Sequence, residues 1–302
     1  MSVNCRVKAL GEKFVELSKN FTGLDQRELL EKYIGLVWKG YENLYERLVA
    51  KWRISLDNLK PATRFVAENR ARILETKSLI LKMLKNCFEK VCNLFDVSDL
   101  DVDVVLFVGT MNVDGFIDIF EDREALFIGY EKASLHYPKF LEVFLCHEIT
   151  HIVHMKILSK NLNLPLDKLF NEVLDWWFTA ALIWEGLATV ASKVLVPGFS
   201  DEEYLFCNMP NCGNYKWFEE NRDFLLRRAK ELLDAKDFEV FRNYFMGGSH
   251  PEDISSPRSG YYIGYLVVKE AVEKIGFPRF IRLHPDDWRR TVLSVVEQRK
   301  QC

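Results

Sequence analysis

The pentapeptide His147-Glu148-Ile149-Thr150-His151 constrains this chain more tightly than any other feature. It lies in an apolar stretch with helical character, Phe140-Leu-Glu-Val-Phe-Leu-Cys-His-Glu-Ile-Thr-His-Ile-Val-His154. On a helix, residues four apart share a face, so His147 and His151 can aim ring nitrogens at one cation while Glu148 lies beside it. A random chain with only six His would contain such a pentapeptide on the order of 0.01 times. The fold must therefore place a buried helix where a further ligand can reach it from another segment.

Two imidazoles with one more protein ligand leave a coordination position for water, which is the arrangement of metal-assisted hydrolysis by Zn²⁺. The adjacent Glu148 carboxylate is then placed to act as general base. Two residues compete for the third ligand. Glu172 lies in Asn171-Glu-Val-Leu-Asp175, and Glu185 lies in Trp184-Glu-Gly-Leu-Ala188, where the small residue after the carboxylate would let helices approach closely. Glu185 is the preferred choice. His154 shares the ligand face but lies about 10 Å from His147 along the axis, too far to join it on one ion; it reads as a packing residue or as one that supports the ligands. Cys146 falls off the ligand face and reads as core.

Other classes are disfavoured. The formal charge of −3 and the lack of a basic, aromatic-interleaved track argue against nucleic acid as partner. The N-terminus, Met1 to Lys8, runs into an amphipathic pattern without the apolar stretch of a leader. The most apolar run, Trp176 to Trp184, is too short to span a bilayer, so neither a membrane location nor a membrane partner is expected and a cytoplasmic protein is. Seven cysteines, an odd number, point to reduced thiols; Cys87/Cys92 and Cys207/Cys212 are spaced too loosely for a zinc knuckle.

Apolar residues recur at helical steps from Leu29 to Leu48 and from Ile73 to Leu94, with a capping start in Thr22-Gly-Leu-Asp25. The period then becomes extended. Val102–Val108, Phe116–Phe120 and Ala125–Tyr130 read as strands, with Asp114-Gly115 as a hairpin-type turn. Helices follow at about 138–157, 166–195, 217–233, 236–245, 261–275 and 286–299. The order predicts a predominantly helical α+β protein with a small mixed or antiparallel sheet packed on the helix bearing the two histidines. A helical region, 1–95, precedes the domain that carries the site, 96–302.

His147-Glu-Ile-Thr-His151 followed by Glu185-Gly-Leu-Ala188 resembles the gluzincin metallopeptidases. With the later Gly260-Tyr261-Tyr262-Ile263-Gly264-Tyr265, it more closely resembles a little-characterised prokaryotic family of predicted zinc-dependent proteases. The resemblance spans roughly residues 100–275 and implies a zincin-type active-site helix, a peptide or protein substrate, and Glu148 as base. It also implies that Tyr261 or Tyr265 stabilises the oxyanion, with Tyr262, Arg258 and His250 as further groups near the substrate. The strand Ala125–Tyr130 would be either an edge that pairs with extended substrate or an ordinary buried core strand. Two other readings stay open on the sequence: a binding protein that keeps the metal but not the activity, and a metal-dependent hydrolase of a non-peptide substrate.

Overall fold

The computed structural model describes residues 2–52, 58–111, 114–136, 138–207, 214–246 and 258–298. The chain is predominantly helical with one four-stranded mixed sheet, and it divides into two compact units, Met1–Glu89 with Ser98–Ile152 and Lys90–Val97 with Val153–Cys302.

The first unit is built on the sheet. Strand β1 (Ser2–Ala9) is followed by helices α1 (Gln26–Val37), α2 (Glu42–Trp52), α3 (Leu59–Glu68) and α4 (Arg70–Phe95), then by strands β2 (Asp99–Phe107), β3 (Gly115–Phe120) and β4 (Arg123–Gly129). The strand order is β1-β2-β4-β3; β1 and β4 run parallel to β2, and β3 runs antiparallel to β4. Parallel strands need a long crossover, and α1 to α4 lie within the one that links β1 to β2. Strand β1, from the region 1–95, joins the sheet, and most helices of that region belong to the same unit as the sheet. The alternation of Val3, Cys5 and Val7 with Asn4, Arg6 and Lys8 is an extended period, overlooked beneath the helical pattern that follows it.

Several local expectations change. The cap of α1 is Asp25, which accepts the N–H groups of Arg27 (2.8 Å) and Glu28 (2.9 Å) and forms a capping box with Glu28. Asp114-Gly115 is not the hairpin turn. That turn is Glu121-Asp122, both left-handed at φ 47° and 62°, as a type I′ hairpin requires, but without the Asn-Gly chemistry that advertises one. Of the two roles open to Ala125–Tyr130, here β4, the structure shows the core one: β4 is hydrogen-bonded on both sides and offers no edge to a peptide. The outer strand is β3, and Arg47 of α2 already donates to its Ile119 carbonyl at 2.5 Å. Helix α5 (Leu141–Leu162) follows the sheet. Cys146, Ile149, Ile152 and Val153 are each fully buried, as expected of a helix that is apolar nearly all round.

The second unit is helical: α6 (Phe178–Leu195), α7 (Arg222–Leu232), α8 (Phe238–Phe245), α9 (Ser259–Ile275) and α10 (Pro285–Gln298). The single long helix expected at 166–195 is broken. A π-helical turn at Leu169–Leu174 leads to Trp176 at φ 53°, and α6 starts only at Phe178. The tryptophans here pack as core: Trp176 meets Phe238 and Phe241, and Trp177 Nε1 donates to the Leu233 carbonyl at 2.6 Å. Helix α6 is 18 residues long with a mean hydropathy of 1.3, enough to cross a membrane, but 72% of it is buried within the protein, which accounts for its apolar character.

Helices α6 and α9 cross at two glycines. A Cβ on Gly186 would lie 2.3 Å from the Gly264 carbonyl oxygen, and one on Gly264 would lie 2.4 Å from the Leu182 carbonyl oxygen. The glycine after Glu185 therefore serves an approach to α9. Gly260 has a different partner: its Cβ would fall 2.5 Å from the ring of Phe245 in α8.

Candidate metal centre

His147 and His151 stand one turn apart on α5, with ring centroids separated by 4.8 Å and planes at 86°. Both are buried, at 4% and 7% exposure. Glu185 projects from α6 and is partly exposed. One ligand atom from each of these three residues lies within 4.8 Å of the other two, so the triad expected from the sequence is brought together. The donor set is two imidazoles and one carboxylate, which suits Zn²⁺ with a fourth position open. The residues present thus fit a zinc ion. The backbone of the rival Glu172 is in the π-helical turn, and its side chain lies outside the described residues.

Glu148 is 8% exposed and lies against the start of β3. A Cβ added to Gly115 would stand 2.3 Å from Glu148 Oε2, so a larger residue there would have to displace the carboxylate from its present position. Gly115 is the site residue that sequence reasoning missed. Its Asp-Gly context has the sequence of a turn, and nothing local distinguishes a turn glycine from one that makes space for a distant side chain.

A second buried carboxyl organises the chain just before Gly115. Glu131 is fully buried, and its Oε1 accepts the N–H of Met111 at 3.3 Å. Gly109 leaves it room, since a Cβ there would lie 2.8 Å from Oε1. Burial pushes the Glu131 carboxyl up to about 7, against the lowering effect of the backbone N–H groups around it. Its neighbour Lys132 pairs with Asp114 at 3.1 Å, and the Gly129 N–H donates to the Asp114 carbonyl at 2.9 Å. The segment that ends at Gly115 is therefore tied at both Met111 and Asp114.

The tyrosines of α9 go to separate places. The Tyr265 hydroxyl accepts from Lys193 at 2.8 Å and donates to Asp201 at 3.0 Å, while Lys193 and Asp201 also pair directly. Burial pulls the Lys193 ammonium down, but Asp201 and the Tyr265 hydroxyl outweigh it and the pKa is raised. The Tyr262 hydroxyl donates to Glu219 at 2.6 Å and accepts from Arg222 at 3.0 Å. Tyr261 is partly exposed, packs near Phe245 and carries the Arg258 guanidinium 4.1 Å above its ring. Arg258 caps α9 in a left-handed conformation at φ 67°, uncommon for a residue with a side chain. His250 lies outside the described residues, as do Cys212 and Cys302. Cys87 and Cys92 are buried thiols in α4.

Residues 80–282 match the profile of a family described as "Predicted Zn-dependent protease (DUF2268)". No curated protein and no solved structure matches the chain.

Proposed function

Because the chain belongs to that family, we propose that it is a zinc-dependent peptidase in which His147, His151 and Glu185 hold the metal and Glu148 is the general base. The observation that carries this reading is the convergence of the three ligand atoms within 4.8 Å on residues drawn from two helices. Bound zinc supplies a Lewis acid that brings the pKa of its water toward about 7. The protein's own groups do the rest. His147, His151 and Glu185 fix the metal's position, and Glu148, held against the bare backbone of Gly115, takes the proton of the attacking water on a carboxylate oxygen and delivers it to the leaving nitrogen. A structural zinc site needs no base beside its ligands and closes its fourth position with protein, which favours an enzyme over a silent binding protein.

For the developing oxyanion, Tyr261 is favoured over Tyr265. Tyr261 is partly exposed and sits under the cationic Arg258, whereas the Tyr265 hydroxyl is committed to Lys193 and Asp201.

The test is a peptide library digested with and without a chelator, beside metal analysis of the purified protein. We expect close to one zinc per chain and cuts that disappear with the chelator. Glu185→Ala should lose the metal; full zinc in that variant would move the third ligand to Glu172. A zinc-loaded protein that cuts no peptide would overturn the peptidase reading.

A further inference from the structure

His154 lies three residues beyond His151 on α5 and is 1% exposed. It is not one of the three residues whose ligand atoms converge, yet it is placed where it can act on the third of them. Its ring stacks on Trp184 of α6, with centroids 5.2 Å apart and planes at 27°, and it also meets Trp288 of α10 at 5.9 Å. Trp288 is 1% exposed and stacks in turn on Trp177 at 6.1 Å, the residue that precedes α6. Trp184 immediately precedes Glu185. Adjacent residues on a helix point about 100° apart, so holding the indole of Trp184 sets the direction in which the Glu185 side chain leaves α6.

The need for such a clamp follows from the way α6 is packed. At Glu185 its neighbour in sequence is Gly186, where the Gly264 backbone and the Val268 side chain of α9 pack closely. A glycine-to-glycine crossing permits close approach, but the two glycines themselves present no side chain that resists rotation about the helix axis. Buried side chains elsewhere on α6, such as Leu182 and Leu187, resist rotation too, and Trp184 is the bulky side chain next to Glu185 itself.

We propose that His154 is a positioning residue for the metal centre: stacked on Trp184, it fixes the rotation of α6 and so the aim of Glu185 at the metal. This rests on the reading of His147, His151 and Glu185 as the ligands. The role is that of a residue behind a ligand, and disturbing such residues costs roughly 10–100-fold in metal affinity.

Zinc affinity is measured by competition with a chromophoric chelator on the full chain, with the thermal midpoint of the metal-free protein recorded beside it. His154→Ala should weaken zinc binding about 10–100-fold. His154→Phe, which restores a ring to the stack, should stay within about threefold of the wild type. Trp184→Leu attacks the stack from the other side and should match His154→Ala, which keeps the test alive if that variant folds poorly. Phe218→Leu, which thins a distant stack on Tyr262, should lower the midpoint without changing zinc affinity. Wild-type affinity in His154→Ala and Trp184→Leu would overturn the positioning role. So would a loss in His154→Phe as large as in His154→Ala, or a loss in Phe218→Leu that tracks stability alone. A wild-type protein that binds no zinc would overturn the ligand reading itself, a different result from zinc binding that ignores the stack.

Discussion

At the scale of single residues, the site depends as much on missing side chains as on those present. Gly115→Ala places a methyl group within 2.3 Å of Glu148 Oε2. It should leave zinc content unchanged while lowering kcat by 10²-fold or more, about the same loss as Glu148→Gln, because a base contributes roughly 10²–10⁴-fold. Metal analysis and initial rates on one cleavable peptide check both variants. Glu131 gives a pH prediction. Burial raises its folded-state pKa from 4.5 to about 7, so the native protein holds this proton more tightly than the unfolded chain does. The stability it contributes is complete below pH 4.5 and is lost as pH rises through about 7. The loss amounts to roughly 3 kcal/mol. Glu131→Gln keeps an acceptor for the Met111 N–H but cannot ionise. Urea unfolding of the metal-free protein at pH 5 and pH 8 should therefore show a smaller difference in the variant than in the wild type.

At the scale of elements, the motif residues after Glu185 and Gly260 divide into chemistry and packing. Gly186→Ala and Gly264→Ala each push a methyl group into backbone that has no rotamer to relieve it. Each should destabilise the protein by about 1–3 kcal/mol or more, read as a fall in the thermal midpoint. Tyr265→Phe separates the two readings of that tyrosine. If its hydroxyl serves the Lys193–Asp201 pair, stability falls by about 1 kcal/mol and peptide cleavage persists; a loss of activity of 10²-fold or more would make it catalytic. The helices were legible from their apolar period, including α5 and α9. The break before α6 was not, because the π-helical turn and the left-handed Trp176 interrupt an apolar run whose composition reads as continuous helix. The hairpin was placed at the wrong turn for a similar reason: Glu121-Asp122 adopts the geometry without the glycine that signals it.

At the scale of the whole molecule, a ligand that binds the native state and not the unfolded chain stabilises it by mass action, about 4 kcal/mol when free zinc is a thousand times its Kd. Chelation should lower the thermal midpoint of the wild type and leave that of His147→Ala unmoved, as differential scanning fluorimetry will show. The sequence by itself placed His147, Glu148 and His151 together on one helix, because a helix converts a spacing of four residues into a shared face without help from the rest of the fold, and it pointed to Glu185 as the group that would join the two histidines. It determined the α+β character as well, since periods of 3.6 and 2 are local properties. Only the tertiary structure decided that the first strand pairs with β2, that β4 is interior, that Gly186 faces α9, and that the Tyr265 hydroxyl belongs to a charged pair. Each of these depends on which segments, far apart in the chain, meet, and on the space left between them. A pattern in one stretch of residues carries no record of either.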